Sequence, residues 1–115
     1  MKYTVSLKKN HEFRRLYNKG KNAVCPSLAL YCRKNNRPYS RLGITVGVKV
    51  GKAVRRNRIR RRIREAYRVH EAEFLPGYDL VVVARVRAAY ARYRELERGL
   101  MQSANKLGLL RKEKA

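Results

Sequence analysis

Strict alternation of apolar and polar residues over positions 41–50 is the clearest pattern along the chain. Every even position from Leu42 to Val50 carries leucine, isoleucine or valine, and every odd position carries a small, polar or basic residue. This alternation predicts a β-strand with one face in a core and the other forming an open trough. Two further strands are predicted over 23–33, which also alternates, and over 78–85, whose continuous apolar run indicates burial on both faces.

Helical periodicity accounts for the segments around these strands. The spacing of apolar residues predicts helices over 10–19, where Gly20 is a stop signal, over about 54–73, and over about 88–107. The order α-β-β-α-β-α indicates the α+β class. We expect a single sandwich in which a small sheet carries helices on one face and leaves an open cleft on the other.

The chain is expected to form one domain over residues 1–115, because this length supports a single core. An ordered core is predicted over about 5–107 and a frayed basic tail over 108–115. No apolar run approaches the roughly 18 residues of a membrane span, and no signal peptide is evident. Cys25 and Cys32 have neither metal-ligand nor disulfide spacing, which favours a reduced cytoplasmic setting with no membrane partner.

Positive charge dominates the helix predicted over 54–73. Its segment 55–68 contains eight arginines and a single acid, Glu65. An apolar stripe runs along one side of this helix at Ile59, Ile63, Ala66 and Tyr67. The arginines are therefore expected to project from the other sides, where their guanidinium groups suit bidentate contacts with phosphates. With a net charge of +22, this array predicts a polyanionic partner.

Few residues are suited to protein-based catalysis. His11 and His70 have no evident nucleophile or orienting partner, and Glu65 and Asp79 lie in different elements without a pairing signature. A phosphate-binding glycine loop and metal-ligand spacings are also missing from the sequence. We therefore expect no catalytic residue, no metal site and no cofactor bound by the protein itself.

Aromatic side chains beside basic ones are candidate stacking platforms for unpaired bases. Tyr31 is the best placed, because it falls on the polar face of the strand over 23–33. Phe13 and Tyr17 fall on the apolar side of the first helix, where packing in the core and exposure in a cleft both stay open. Tyr90 and Tyr93 fall on the apolar side of the last helix and are predicted to be core residues.

The segment 51–65 closely resembles the signature of the bacterial ribonuclease P protein family. The family's Arg-Asn-Arg element falls on Arg56, Asn57 and Arg58. The likeness extends in the same order over about residues 5–107, through the matching segments 7–20, 30–31, 41–44 and 79–85. One departure is Gly47-Val48, where many relatives carry Ser-Lys, so that the basic contribution at this point rests on Lys49.

This resemblance implies a fold and a function. The fold would be an α+β sandwich with a left-handed βαβ crossover, against the general right-handed rule. The function would be that of the RNA-binding protein subunit of ribonuclease P, which assists a catalytic RNA in removing the 5′ leader from precursor tRNA. The protein alone would not be catalytic, and Mg²⁺ would be held mainly by the RNA. The implied partners are the catalytic RNA and the precursor tRNA leader, with no DNA.

The resemblance also assigns residues to these two partners. The catalytic RNA would be bound by the arginine helix and its start, through Lys52, Arg55, Arg56, Asn57, Arg58, Arg60, Arg61, Arg64 and Arg68. The leader would lie in a cleft between the first helix and the sheet, at Phe13, Tyr17, Tyr31 and Lys49.

Two other functions share some of these features. A ribosomal or general RNA-binding protein of related fold would have similar charge, but the Arg56-Asn57-Arg58 context argues against it. A self-sufficient protein nuclease would need acidic residues for metal ions, and the sequence has no such cluster.

Overall fold

A computed structural model describes residues 4–111 of the chain, which form a five-stranded sheet and three α-helices. The strands are β1 (Thr4–Ser6), β2 (Lys21–Val24), β3 (Leu28–Lys34), β4 (Ser40–Val46) and β5 (Tyr78–Ala84). The helices are α1 (Asn10–Lys19), α2 (Ala53–His70) and α3 (Tyr93–Lys106). Short 3-10 turns follow β4, α2 and β5 at Val48–Val50, Glu71–Glu73 and Val86–Tyr90. The predicted α+β class is confirmed.

The sheet has the strand order β1-β4-β5-β3-β2, with β5 at its centre. β4 and β5 are parallel and are joined through α2, so they form the expected βαβ unit. β3 runs antiparallel to β5 on its other side, and β1 adds a parallel edge strand beside β4. The handedness of the crossover stays a prediction from the resemblance.

The two faces of β5 are covered by different helices. On one face, Leu80 and Val82 join the main core with apolar side chains of α2 and α3. On the other face, Val81 packs with Leu7 and Leu16, so α1 lies on the opposite side of the sheet. The prediction that the helices share one face is therefore wrong for α1. A central strand that is apolar on both faces needs cover on both.

The strand predicted over 23–33 is divided into β2 and β3, which pair as an antiparallel hairpin. The N–H of Cys25 donates to the carbonyl of Leu28 at 2.9 Å and closes the turn between them. Pro26 lies in this turn and has no N–H to give to a strand ladder. Within β3 the predicted core face is confirmed, because Leu30 and Cys32 are both buried in the main core.

The alternating strand over 41–50 is shorter than predicted. β4 ends at Val46, and the following 3-10 turn is closed by the N–H of Val50 on the carbonyl of Gly47 at 3.1 Å. Val50 still reaches the core, but Val48 is exposed, contrary to the alternation. Lys49 therefore lies in a turn and not in a strand. The turn changes the direction in which successive side chains point. Alternation in the sequence predicts these directions only while the backbone stays extended.

The last predicted helix is also divided. The segment Val86–Tyr90 forms a 3-10 turn, and α3 begins only at Tyr93. Between the turn and α3, Ala91 and Arg92 have extended backbone, with ψ angles of 140° and 162°. This break removes Tyr90 from the apolar side of the helix and leaves it exposed, so its prediction as a core residue is wrong. Tyr93 packs against the main core as predicted.

The predicted frayed tail over 108–115 falls partly on described residues, and these are ordered. Leu109 is buried, Leu110 forms a β-bridge with Phe74, and the N–H of Arg111 donates to the carbonyl of Glu73 at 2.7 Å. The expectation of fraying is therefore wrong for residues 108–111, because one apolar side chain gains a place in the core. Residues 112–115 lie outside the described part of the chain.

The end of α2 is fixed to α3 through His70. Its Nδ1 bonds to the carboxylate of Glu73, and its Nε2 lies 2.9 Å from Glu97 Oε2 on α3. Hydrogen bonds with these two carboxylates outweigh the opposing effect of burial and raise the pKa of His70 above its ordinary value. The imidazolium form is therefore the one that the folded state favours.

The pH dependence of stability provides a test of this contact. The folded state binds the His70 proton more tightly than the unfolded chain, so the stabilisation is fully present below about pH 6.5, the unfolded pKa. It is lost as the pH rises through the raised folded-state pKa. We expect His70→Gln to reduce the free energy of unfolding most near about pH 5.5 and least near about pH 8.5. The measurement is chemical denaturation of both proteins across this range.

The matched control is His11→Gln, which removes an exposed imidazole that has no hydrogen-bond partner among residues 4–111. It should change the free energy of unfolding by less than about 0.5 kcal/mol, because exposed side chains without partners contribute little to stability. A His70→Gln deficit that grew toward alkaline pH would show that the contact does not depend on the imidazolium.

Candidate nucleic-acid interface

The arginine helix α2 presents its cations to solvent because its apolar stripe is buried. Ile59, Ile63 and Tyr67 are almost completely buried against the sheet and α3. The side opposite this stripe is exposed as predicted, at Asn57, Arg61, Arg64 and Arg68. Core packing thus fixes the rotation of the helix about its axis and holds the array outward.

Only a few of these cations have partners within the protein. Arg68 forms an ion pair with Glu65, and Arg62 donates to the carbonyl of Ala91 at 3.3 Å. Arg60 Nη1 donates to Asn57 Oδ1 at 2.9 Å. Within the described residues, the other five arginines of α2 take part in no hydrogen bond or ion pair through their side chains, namely Arg55, Arg56, Arg58, Arg61 and Arg64. Their charges are therefore available to phosphates.

Two open grooves run over the exposed side of α2. One has a volume of about 510 Å³ and is lined by Gly51, Lys52, Val54, Arg55 and Arg58. The other has a volume of about 430 Å³ and is lined by Val54, Asn57, Arg60, Arg61 and Arg64. Both are shallow and rimmed by guanidinium groups, a geometry that suits a phosphodiester backbone better than a small molecule.

The Arg-Asn-Arg element at residues 56–58 spans the edge of this surface. Arg58 and Asn57 are exposed, whereas Arg56 is half-buried. The Nε of Arg56 is buried and has no hydrogen-bond partner among the described residues. This element therefore combines two outward groups with one guanidinium that is oriented by packing.

A separate cleft lies on the opposite face of the sheet, between α1 and the strands. The rings of Tyr17 and Tyr31 meet edge to face, with centroids 5.0 Å apart and an interplanar angle of 73°. The hydroxyl of Tyr17 lies 3.4 Å from Thr45 Oγ1, which links α1 to β4. Tyr17 is 40% exposed, so its ring is a surface of the cleft and not a core residue.

Phe13, in contrast to Tyr17, packs in a core and forms a wall of the same cleft. Its ring joins the small core of Leu7, Leu16 and Val81. It also rests on Gly43 of β4, where a Cβ would overlap with the ring atoms. The small residue in the predicted trough therefore serves the close approach of α1 to the sheet.

Lys49 is exposed in the 3-10 turn beyond β4. Among residues 4–111 it forms no hydrogen bond, ion pair or ring contact with Phe13, Tyr17 or Tyr31. The structure thus brings the three aromatic residues together but does not bring Lys49 to them. Its role in the cleft stays a prediction.

An ion network that sequence analysis missed fixes α1 to the sheet. Arg41 donates to both carboxylate oxygens of Asp79, at 2.8 and 2.6 Å, and also forms an ion pair with Glu12 of α1. Asn35 Nδ2 donates to Asp79 Oδ1 at 3.0 Å. Burial alone would raise the pKa of Asp79, but the hydrogen bonds from Arg41 and Asn35 lower it below the usual range. The network is largely buried and joins α1 to β4 and β5.

Metal and membrane sites are not evident in the part of the chain that the structure describes. Residues 4–111 contain no group of three or more His, Cys, Asp or Glu side chains placed to hold a metal ion. None of their helices combines the length and apolar character that a membrane span requires.

Comparisons with known proteins agree with one another. A family model described as Ribonuclease P matches residues 1–108. The chain is 44% identical over 98 residues to the ribonuclease P protein component of Clostridioides difficile strain 630, covering 84% of this chain and 86% of that relative. Over 112 residues it is 38% identical to the ribonuclease P protein component of Natranaerobius thermophilus, covering 97% of each. Its structure is similar to that of Staphylococcus aureus RNase P protein, with a TM-score of 0.84, 33% identity, and coverage of 92% of this chain and 97% of that chain.

The ion network gives a prediction for the attachment of α1. We expect Arg41→Ala to lower the free energy of unfolding by about 1.5–3 kcal/mol, because it removes charge-assisted hydrogen bonds and leaves Asp79 with fewer partners. Glu12→Gln should cause a smaller loss but should selectively increase amide hydrogen exchange in α1. Urea denaturation and hydrogen exchange measure the two effects.

The matched control is Arg14→Ala, which removes an exposed arginine of α1. It should change stability by less than about 0.5 kcal/mol. An Arg41→Ala protein as stable as this control would mean that the network contributes nothing to the position of α1.

Proposed function

This chain belongs to the ribonuclease P protein family, and from that premise we propose a division of labour between its two surfaces. It is the protein component of an endoribonuclease that matures the 5′ end of tRNA. In our proposal the exposed face of α2 binds the catalytic RNA. The cleft between α1 and the sheet binds the single-stranded 5′ leader of precursor tRNA.

The observation that carries this proposal is that most cations of α2 and the aromatic pair of the cleft lie on opposite faces of the sheet. Two RNA molecules can therefore contact the protein at the same time without competing for one site. The two surfaces approach each other at the edge of β4, where Arg64 lines a pocket with Phe13 and Gly43. A general RNA-binding protein would have no need for two surfaces of different chemistry, and the family match over residues 1–108 does not favour that alternative.

The array on α2 is suited to a structured RNA. Lys52, Arg55, Arg58, Arg61 and Arg64 are exposed cations in adjacent grooves of one rigid helix. The planar fork of a guanidinium group gives bidentate contacts with phosphates, so less side-chain freedom is lost for each hydrogen bond formed than with lysine. Arg56, Asn57, Arg60 and Arg68 complete this surface in our proposal.

The cleft is suited to an unpaired strand. Tyr31 and Tyr17 present aromatic surface beside Thr45 of β4, so an extended chain of nucleotides has a stacking partner there. Phe13 supports this surface from behind, and Lys49 would contact a phosphate where the strand leaves the cleft. Stacking accepts any base, so sequence dependence along the leader should be modest.

The chemistry itself belongs to the RNA in this proposal. Mg²⁺ ions held mainly by RNA phosphates would activate the attacking water, and the protein would contribute binding and charge. Two polyanions must come together in this reaction, and a subunit with a net charge of +22 reduces their repulsion. We also propose a cytoplasmic location, which the free thiols of Cys25 and Cys32 support.

Reconstitution tests the proposal directly. Purified protein is mixed with a bacterial ribonuclease P RNA and precursor tRNA at a low Mg²⁺ concentration, and 5′-leader removal is measured. We expect cleavage to be faster than with RNA alone and absent with protein alone. Cleavage by the protein alone, or no enhancement over RNA alone, would refute the proposal.

Substitutions in the Arg-Asn-Arg element should affect binding far more than folding. We expect Arg56→Ala, Asn57→Ala and Arg58→Ala each to weaken binding of the catalytic RNA by about 1.5–3 kcal/mol, the range for charge-assisted contacts. Arg56→Ala and Arg58→Ala, which each remove a cation, should also reduce the slope of log affinity against log salt by about 0.9, whereas Asn57→Ala removes no charge and should leave the slope unchanged. Equilibrium binding at several salt concentrations measures both quantities.

Arg98→Ala is the matched control, because Arg98 is an exposed arginine of α3 outside the array. Thermal unfolding must accompany the binding data. If the three variants unfold at much lower temperatures while their folded fraction keeps full RNA affinity, the element is structural.

The cleft gives a second prediction for binding. Tyr31→Ala should weaken the affinity of the reconstituted holoenzyme for precursor tRNA by about 1–3 kcal/mol, the value of one stacked base. Affinity for mature tRNA, which has no leader, should stay nearly unchanged, and Tyr31→Phe should retain most of the wild-type affinity. The decisive quantity is the ratio of the two affinities.

Tyr39→Ala serves as the control, because Tyr39 lies in the turn between β3 and β4 and contacts Arg37 instead of the cleft. An unchanged ratio in Tyr31→Ala would assign this ring to packing alone and would require the leader to bind elsewhere.

A further inference from the structure

The four most exposed large hydrophobic side chains among the described residues lie at one end of the sheet. Tyr90 is 80% exposed, Val48 77%, Val54 72% and Val86 54%. Their proximity follows from strand register, because the last residues of β4 and β5, Val46 and Ala84, are paired neighbours. The chain therefore leaves both strands side by side, and the two 3-10 turns that follow pack on each other and on α2. We call these four residues the apolar end patch.

The apolar end patch is continuous with the arginine surface of α2. Arg62 donates to the carbonyl of Ala91, the residue next to Tyr90, and so ties this turn to the helix. Val54 lines the same grooves as the arginines and Asn57. The Tyr17–Tyr31 cleft, in contrast, lies across the sheet.

Cations surround the apolar end patch. Lys49 and Arg87 lie within the two 3-10 turns, and Lys52 and Arg58 lie at the start of α2. Arg87 has an acidic neighbour, Glu95, at a distance of 3.4 Å. The fold gains little from Tyr90, because a ring that is 80% exposed buries almost no area. An apolar cluster of this kind within a cationic rim is typical of an interaction site.

The charge pattern selects the kind of partner. A second copy of this chain would bring another +22 charges to the contact and would be repelled. An unpaired nucleotide matches both features at once, because its base presents a flat apolar face and its flanking phosphates are anionic. Continuity with α2 identifies the RNA as the one that α2 holds.

We propose that Tyr90 is a stacking platform for an unpaired base of the catalytic RNA, with Val48 and Val86 beside the ring and Lys52 and Arg58 near its phosphates. This inference rests on the proposed binding of the catalytic RNA by α2. The base lies in a loop or bulge next to the segment that the arginines contact, because a paired and stacked base does not present its face to a side chain.

Three substitutions of Tyr90 separate stacking from other contacts. Tyr90→Ala removes the ring, Tyr90→Leu keeps apolar volume without an aromatic face, and Tyr90→Phe keeps the aromatic face without the hydroxyl. We expect the Ala and Leu variants to bind the catalytic RNA roughly 5- to 100-fold more weakly and the Phe variant to bind like the wild type. The slope of log affinity against log salt should not change, because stacking releases no counterions.

Two controls accompany these measurements. Tyr39→Ala removes a tyrosine outside the patch and should leave RNA affinity unchanged. Thermal unfolding of the Tyr90 variants should match that of the wild type, because the ring is exposed.

Each contrary outcome overturns the proposal. Full affinity in Tyr90→Leu would indicate apolar contact without stacking. Loss of precursor tRNA affinity with unchanged binding of the catalytic RNA would assign the ring to the substrate. A change in the sedimentation of the free protein would indicate self-association. If the wild-type protein does not bind the catalytic RNA, the proposed function fails. If it binds and Tyr90→Ala binds equally well, only the stacking proposal fails.

Discussion

The burial of β5 on both faces is the constraint on which the rest of this structure depends. A central strand that reads Leu-Val-Val-Val-Ala has no solvated side, so the chain must supply a layer above it and a layer below it. Two long helices cover one face completely. The ten-residue α1 covers only part of the other, where Val81 is buried but Val83 is half-buried. The open cleft is the part of the second face that α1 does not cover.

A second constraint acts on α2, whose helical periodicity places the residues for core packing on one side and the charged residues on the others. The stripe through Ile59 and Ile63 secures the helix to the sheet, so the remaining positions are free to carry charge without loss of core. Mutual repulsion among eight arginines destabilises the isolated protein, and the core must offset it. A bound polyanion relieves that repulsion, so the cost to folding and the affinity for RNA have the same origin.

Sequence analysis succeeded where the information is local. The bounds of α1, the double burial of β5 and the outward face of α2 each follow from a period of 3.6 or from a continuous apolar run. It failed where backbone direction or strand order decides the outcome. Tyr90 shares helical spacing with Tyr93, yet extended dihedral angles at Ala91 and Arg92 place the ring in solvent.

The candidate site shows the same division. The aromatic residues of the cleft and the arginines of α2 were identified from residue type and spacing. The Glu12–Arg41–Asp79 network was missed, because it depends on which strands are neighbours and in what register. Each of these residues alone is an ordinary charged residue in an amphipathic element. Only the parallel pairing of β4 with β5 places Arg41 opposite Asp79 and within reach of α1.

β4 connects the two proposed binding surfaces, since alternate residues of one strand serve opposite faces of the sheet. Leu42 and Val46 belong to the core beneath α2, whereas Gly43 packs under Phe13 and Thr45 lies beside Tyr17, both residues of α1. The cleft and the arginine helix are thereby held at a fixed separation by a strand in the interior of the sheet. In the proposed function this rigidity matters, because the leader and the catalytic RNA meet the protein on opposite faces. Their relative position then depends on the sheet and not on a flexible linker.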